Sequence, residues 1–413
     1  MRVVIFVHHF PPDVNSTGRL MSRIASGLRD AGHELVIVTT FPHYEGFRIW
    51  QSYRRKLVQH EMASGIEIWR VWCFARGNKS MRRRLLNYLT FNLMATVVGL
   101  WVAPRSDVVL ATNGSFFTGI TAWVSGLGRV PFVYNVQDLY PEVPILAGQL
   151  QSPRIIRILR RIANKMYSKA AHISVIAPTL GQYLCEHNLV AKEKISVVPN
   201  FVDTETIRPL PRVNRYAERM GMVDRFVIAH SGNIGYAYDL MTLLESAKIL
   251  SHEDHLLFAI TGSGVLKESL MQRASSLGLR NVQFLPFQPE DDLPWLRAST
   301  DVQLALYVPG AARYSMPSKV YEIMASGRPV LASAEANSDV HRLIEESGGG
   351  VCIDPGDAGK LAETIMEFHD DPRKGSTMGA LGRRHIEERY SAGRVVTQYE
   401  GLLAKIAGRP HTK

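Results

Sequence analysis

Three residues close to position 320 have the types and spacing to hold a phosphorylated ligand. Residues 314–333, YSMPSKVYEIMASGRPVLAS, read as a loop, a helix from about Pro317 to Ala325, a glycine stop at Gly327 and a strand from Pro329. Ser318, Lys319 and Glu322 then share adjoining parts of one helical surface near its amino end. Free backbone N–H groups and the helix dipole favour an anion there, and Lys319 adds a mobile cation. Glu322 can accept two hydrogen bonds from a vicinal diol such as ribose. The same i,i+3 spacing also suits an ordinary surface Lys/Glu pair.

Two glycine turns add to the first reading. Gly232 and Gly235, in SGNIG, follow one apolar run and precede a helical pattern, and Gly262 and Gly264, in TGSG, follow another. Turns of this kind let backbone amides approach a pyrophosphate, although a tight strand-to-helix turn needs glycine in any case.

The elements that must position these residues alternate along the chain. A β-branched run at residues 2–7 leads through HHFPPDVNSTGR to a helix with Leu20, Ile24 and Leu28 spaced by four and closed by Gly32, and then to a strand at 34–38. Further strands are expected at 108–112, 132–136, 173–176 and 196–198. The pattern restarts at 226–230, with strands expected near 256–260, 282–285, 302–305 and 330–332. This predicts an α/β protein of two doubly wound, Rossmann-like domains facing across a cleft, with ligands at the carboxyl ends of the strands. The first domain is expected over 1–203 and the second over 216–385. Residues 203–215, with two prolines and no apolar periodicity, read as the linker. A helix within 386–413 is expected to pack back on the first domain.

The 413 residues are 46% apolar and 21% charged, as in a globular enzyme. Cys73, Cys185 and Cys352 lie far apart, which excludes a disulfide scaffold and a zinc ribbon. The first apolar run is too short for a secretory signal, so a cytoplasmic location is expected. Charge is uneven: 24 Lys and Arg against 11 Asp and Glu through residue 200, then 24 against 27. A basic first half implies an anionic surface, nucleic acid or the inner membrane leaflet. Nucleic acid is set aside for want of an aromatic-basic reading motif. Residues 85–103, mostly apolar and preceded by MRRR, read as a buried helix of the sheet, with transmembrane and interfacial helices as alternatives. Residues 153–169 carry six cations and no acid beside an apolar stripe, which fits a solvated surface helix or one resting on anionic lipid.

With these segments in order, the chain resembles family 4 glycosyltransferases of the GT-B fold, which move a sugar from a nucleotide-sugar with retention of configuration. The resemblance runs through PPDVNSTGR, AGHELVIVTT, ISVVPNFVDTETIRP, TGSGVLKESL, NVQFLPFQPEDDLPWL, PSKVYEIMASGRPVLAS and GGGVCIDPGD, nearly the whole chain. It is most similar to enzymes of cell-surface polysaccharide synthesis, whose acceptors are often sugars on a membrane-bound polyprenyl diphosphate. The resemblance implies that Glu322 holds the donor ribose, that Lys319 and Ser318 lie beside the diphosphate and sugar, and that Gly262 and Gly264 flank the nucleoside. It also implies that Phe287 lines the base and that Gly18 and Arg19 approach the diphosphate from the first domain. Three positions depart from the family pattern: Tyr314 replaces a glutamate, Asn233 with GYAY replaces a basic clamp, and Gln137 replaces a histidine.

On this reading Lys319, Asn233 and the helix amino end stabilise the leaving diphosphate, and Asp138 contacts the acceptor hydroxyl, unless it only caps the turn before Leu139 and Pro141. A UDP-linked N-acetylhexosamine is one candidate donor. No DxD sequence is present, so no cofactor and no metal are expected. Partners are the donor, a lipid-linked or glycan acceptor and an anionic membrane, placing the protein peripherally on the inner face. A catalytically silent nucleotide-sugar-binding scaffold and a sugar-nucleotide epimerase are the alternatives.

Overall fold

The computed structural model describes residues 1–13, 15–77, 81–146, 150–187, 189–286, 288–312, 316 and 318–409. Two units appear: Met1–Asn200 with Ala392–Lys413, and Phe201–Ser391.

The first unit is built on an eight-stranded sheet. Its strands are β1 (Arg2–Phe6), β2 (Glu34–Thr40), β3 (Val58–Ala63), β4 (Ile66–Val71), β5 (Val108–Thr112), β6 (Phe132–Val136), β7 (His172–Val175) and β8 (Ile195–Val197). They lie in the order β3-β4-β2-β1-β5-β6-β7-β8. The central strands are nearly continuous apolar runs because helices cover both faces; every residue of β5 and β6 is buried. The β3–β4 hairpin is absent from the sequence reading. It is antiparallel at the sheet edge and turns at Ser64 and Gly65, both at positive φ. Its outer strand, VQHEMA, is largely exposed and polar, so it lacks the apolar run that marks the other strands.

The sheet's two faces are told apart by consecutive residues of β6. Tyr134 lies against Gly119 of the helix Thr118–Ser125, beside Met166 of the helix Pro153–Lys169. Asn135 donates to Tyr399 Oη, 2.9 Å away, from the helix Ala392–Ile406. That last helix packs on Ser16–Asp30, where Gly27 leaves room for Val396, and His33 donates to Glu400 at 3.1 Å.

The second unit carries six parallel strands: β9 (Phe226–Ser231), β10 (Leu256–Thr261), β11 (Val282–Leu285), β12 (Val302–Leu306), β13 (Val330–Ser333) and β14 (Gly350–Ile353). Their order is β11-β10-β9-β12-β13-β14. Successive strands run outward from β9 one way and from β12 the other, so the switch in direction lies between β9 and β12.

Residues 203–215 are not a free linker; most of them pack into this second unit. Arg383 donates to the carbonyls of Thr204 (2.9 Å) and Ile207 (2.6 Å), and Arg328 donates to Leu210 (3.2 Å). Arg212 pairs with Asp301 at 2.8 Å. Arginine side chains satisfy carbonyls that no ladder serves, which apolar periodicity cannot reveal.

Candidate functional site

The carboxyl ends of β9 and β12 gather most of the second-unit residues singled out from sequence. The helix Ser318–Ala325 follows β12 and starts with the exposed Ser318. Lys319, its second residue, reaches back to β9: its ammonium lies 4.0 Å from the Tyr238 ring centroid and 3.4 Å from His230 Nδ1. His230 Nε2 lies 3.3 Å from the Asn233 carbonyl oxygen and 3.2 Å from the same Lys319 ammonium. Burial drives the His230 imidazole well below its ordinary range, with Lys319 adding to the effect, so the ring is neutral. Burial likewise pushes the Lys319 ammonium down to about 7, against an upward pull from Glu322 and with a further push from Arg297. Among the described residues no carboxylate forms an ion pair with Lys319.

Glu322, one turn on, is paired with Arg297 of the helix Leu293–Ala298, yet keeps a third of its side chain exposed. Arg297, His230 and Tyr238 went unnoticed in the sequence. No local pattern marks them, because they converge only when β9, β12 and the preceding helix meet.

The glycines have a packing role of their own, the one a tight strand-to-helix turn requires. A Cβ on Gly262, which sits at φ +141°, would lie 1.8 Å from the Gly232 carbonyl oxygen, and one on Gly264 would lie 2.1 Å from that of Ile234. The two turns press backbone to backbone, tied by Gly232 N–H to Thr261 O and Ile234 N–H to Ser263 O, each 2.9 Å. Gly262 and Gly264 are therefore required by the neighbouring turn itself. Gly232, at φ +131°, faces the Lys319 side chain, and Gly235 lies against the Asn233 amide. Asn233 is exposed. Phe287 and Tyr314 lie outside the described residues.

In the first unit, the expected residues are spread along the carboxyl edge of the sheet. Asp138 follows β6, half-buried, and burial pushes its carboxyl up; among the described residues its carboxylate has no hydrogen-bond partner. Gly18, expected to approach the diphosphate, donates its N–H to the Asn15 cap at 2.6 Å. A Cβ on Gly18 would lie 2.9 Å from the His9 carbonyl oxygen, so this glycine lets the helix Ser16–Asp30 close on the preceding loop. Arg19 is exposed. Gln137 is buried in an amide network with Asn113, Asn135 and Asn200, which fits a structural residue.

The same edge holds a cluster the sequence reading passed over within HHFPPD. His9 Nδ1–H donates to Asp13 at 2.8 Å, and Asp13 also accepts the backbone N–H of His43 (3.1 Å) and Tyr44 (2.9 Å). Against the upward push of burial, the His9 contact and these N–H groups hold the Asp13 carboxyl below its usual range. Ring nitrogens of His8, His9 and His43 lie within 4.8 Å of one another, enough ligand atoms in one place for a cation. His8 and His43 are neutral through burial, His43 being lowered to about 4.

Comparison with known proteins assigns both halves. Residues 17–200 match the glycosyl transferase 4-like domain family, and residues 220–385 match glycosyl transferases group 1. A protein named as a colanic acid biosynthesis glycosyl transferase, WcaI of Escherichia coli K12, is 25% identical over 94% of this chain and 97% of its own length. WbjE of Pseudomonas aeruginosa, named as a glycosyltransferase, is 26% identical over 70% of this chain and 72% of its own. Among solved structures, Anabaena HepE in complex with UDP and glucose superposes with a TM-score of 0.71 at 18% identity. That match covers 98% of this chain and all of HepE.

Proposed function

The chain belongs to the glycosyltransferases that join a 4-like domain to a group 1 domain on the GT-B fold, and from that premise we propose that its second unit holds a nucleotide-sugar through Lys319, Glu322 and the amino end of the helix Ser318–Ala325. The sugar passes, with retained configuration, to a glycan on a membrane-borne polyprenyl diphosphate at the cytoplasmic face, in cell-surface polysaccharide synthesis. The similarity to WcaI supports the pathway class. One observation carries the donor site: Lys319 is a half-buried cation beside a neutral imidazole at a helix amino end, and among the described residues no carboxylate is ion-paired with it. Such a group is completed by an anion.

As the sugar leaves, the bond from its anomeric carbon to the diphosphate breaks and the electron pair stays on the phosphate oxygen. Lys319, Asn233 and the helix N–H groups stabilise that charge. Glu322, steadied by Arg297, accepts from the ribose hydroxyls. Ser318 and Gly232 line the diphosphate. Transfer is proposed to be independent of divalent metal, so EDTA should leave turnover unchanged.

The reading is tested by thermal unfolding against UDP, GDP, ADP, CMP and TDP at equal concentration, a UDP-linked N-acetylhexosamine being the first donor to try. A ligand at 100 times its dissociation constant stabilises by about 2.7 kcal/mol. A shift with one base, lost in Glu322→Ala, is the expected result; no shift with any would overturn the donor site. Donor binding without diphosphate release in the presence of acceptor would instead indicate a silent scaffold. Product analysis separates an epimerase.

Asp138 is proposed to meet the acceptor hydroxyl. Asp138→Asn is expected to lower kcat while the nucleotide-induced shift stays as in the native chain; unchanged transfer would remove it from the mechanism.

A further inference from the structure

One face of the first sheet is covered by three helices side by side: Met81–Val102, Thr118–Ser125 and Pro153–Lys169. Together they contain nine lysines and arginines and not one aspartate or glutamate. Sequence alone could not show that these three segments, 88 residues apart at their extremes, form a single surface.

The helix Met81–Val102 decides what that surface meets. The buried-helix expectation holds for only one of its sides, where Asn87, Phe91, Asn92, Ala95, Val98 and Gly99 pack inward. Gly99 permits that contact, since a Cβ there would meet Ser125 and Phe6. Its other side is a stripe of large apolar residues open to water: Leu85, Leu86, Leu89, Leu93 (67% exposed), Val97 (59%) and Trp101 (52%). The helix is long and apolar enough to cross a bilayer. However, Asn87 donates to the Phe74 carbonyl and Asn92 to Ser115 Oγ, so its inward side is fixed to the domain and not to lipid. An apolar stripe of this length on a folded domain marks an interaction surface. Arg82 and Arg83 lie at one end of it and Arg105 over Trp101 at the other, and the helix Pro153–Lys169, packed on Thr118–Ser125, adds the exposed Arg154, Arg157 and Arg161 to the cationic charge of this face.

We infer that this three-helix face docks the first unit on an anionic bilayer, with Met81–Val102 lying in the plane of the interface. The stripe enters the headgroup boundary, and the flanking arginines meet anionic headgroups. The charge argues for lipid over a second copy of the chain, because two such strongly basic faces would repel. The inference extends the lipid-linked acceptor reading, but the docking it describes needs neither donor nor acceptor.

Flotation of the full chain with phosphatidylcholine vesicles containing about 30% phosphatidylglycerol, against pure phosphatidylcholine, tests it. Binding to the anionic vesicles alone, falling as salt is raised from about 0.1 to 0.5 M, is expected. The triple variant Leu89→Ser, Leu93→Ser, Val97→Ser alters only exposed side chains and should abolish flotation. Arg154→Gln, Arg157→Gln, Arg161→Gln should weaken it roughly 100-fold. Both variants should keep the native melting temperature and the nucleotide-induced shift. Equal binding to neutral vesicles, native-like flotation of the serine variant, or self-association through the stripe without vesicle binding would each overturn the inference. A failed nucleotide panel would leave it standing.

Discussion

Replacing Lys319 with glutamine is expected to lower turnover by roughly 10²–10³, the typical cost of one donor to a developing anion, and to abolish a proton uptake that accompanies donor binding. Burial lowers this ammonium to about 7, with His230 neutral beside it. A bound diphosphate restores the charged form, so binding between about pH 7 and 8.5 should take up a fraction of a proton. Donor affinity should fall as pH rises through that window. Calorimetry in two buffers of different ionisation enthalpy reads the uptake. A nucleotide-sugar is the right probe, because its diester phosphates do not titrate there.

Lys319→Arg keeps a cation that does not titrate and should bind without uptake. The sign for stability is opposite. In the ligand-free protein the unfolded chain binds more protons than the native one between about pH 7 and 10, so this group makes native stability rise with pH there. Lys319→Gln should remove that rise. Native-like turnover in Lys319→Gln, or no uptake by the native chain, would contradict the assignment.

Gly264→Ala and Gly262→Ala are expected to destabilise the second unit by about 3 kcal/mol each, the upper end for overpacking against structure that cannot yield. That corresponds to roughly 6–12 °C in melting temperature for a unit of this size. The added methyl meets a carbonyl of the adjacent turn, 1.8 or 2.1 Å away, and both turns are pinned by strand hydrogen bonds. If these glycines served only the approach of a nucleotide, alanine would abolish binding and leave the ligand-free melting temperature unchanged. The two results are distinguishable in one scan. Gly393, in a helix with nothing within 4 Å of an added Cβ, is the control; Gly393→Ala should gain about 0.5–1 kcal/mol.

Local chemistry is legible in the chain alone. Buried parallel strands announce themselves as short β-branched runs, and β5, β6 and β11 lie where those runs predict. Proline and glycine punctuation placed the helix that carries Lys319 and Glu322. The edge hairpin β3–β4 escaped because one of its strands is polar and exposed. Which distant residues share a site is set by how the strands pack. His230 and Lys319 are 89 residues apart and meet because β9 and β12 are neighbours. Periodicity reports the period of one element and says nothing about which strand lies beside it. The same limit hid the pairing of Glu322 with Arg297, the interlock of the two glycine turns, and the basic face assembled from three separate helices. Each depends on strand order, which long-range packing fixes.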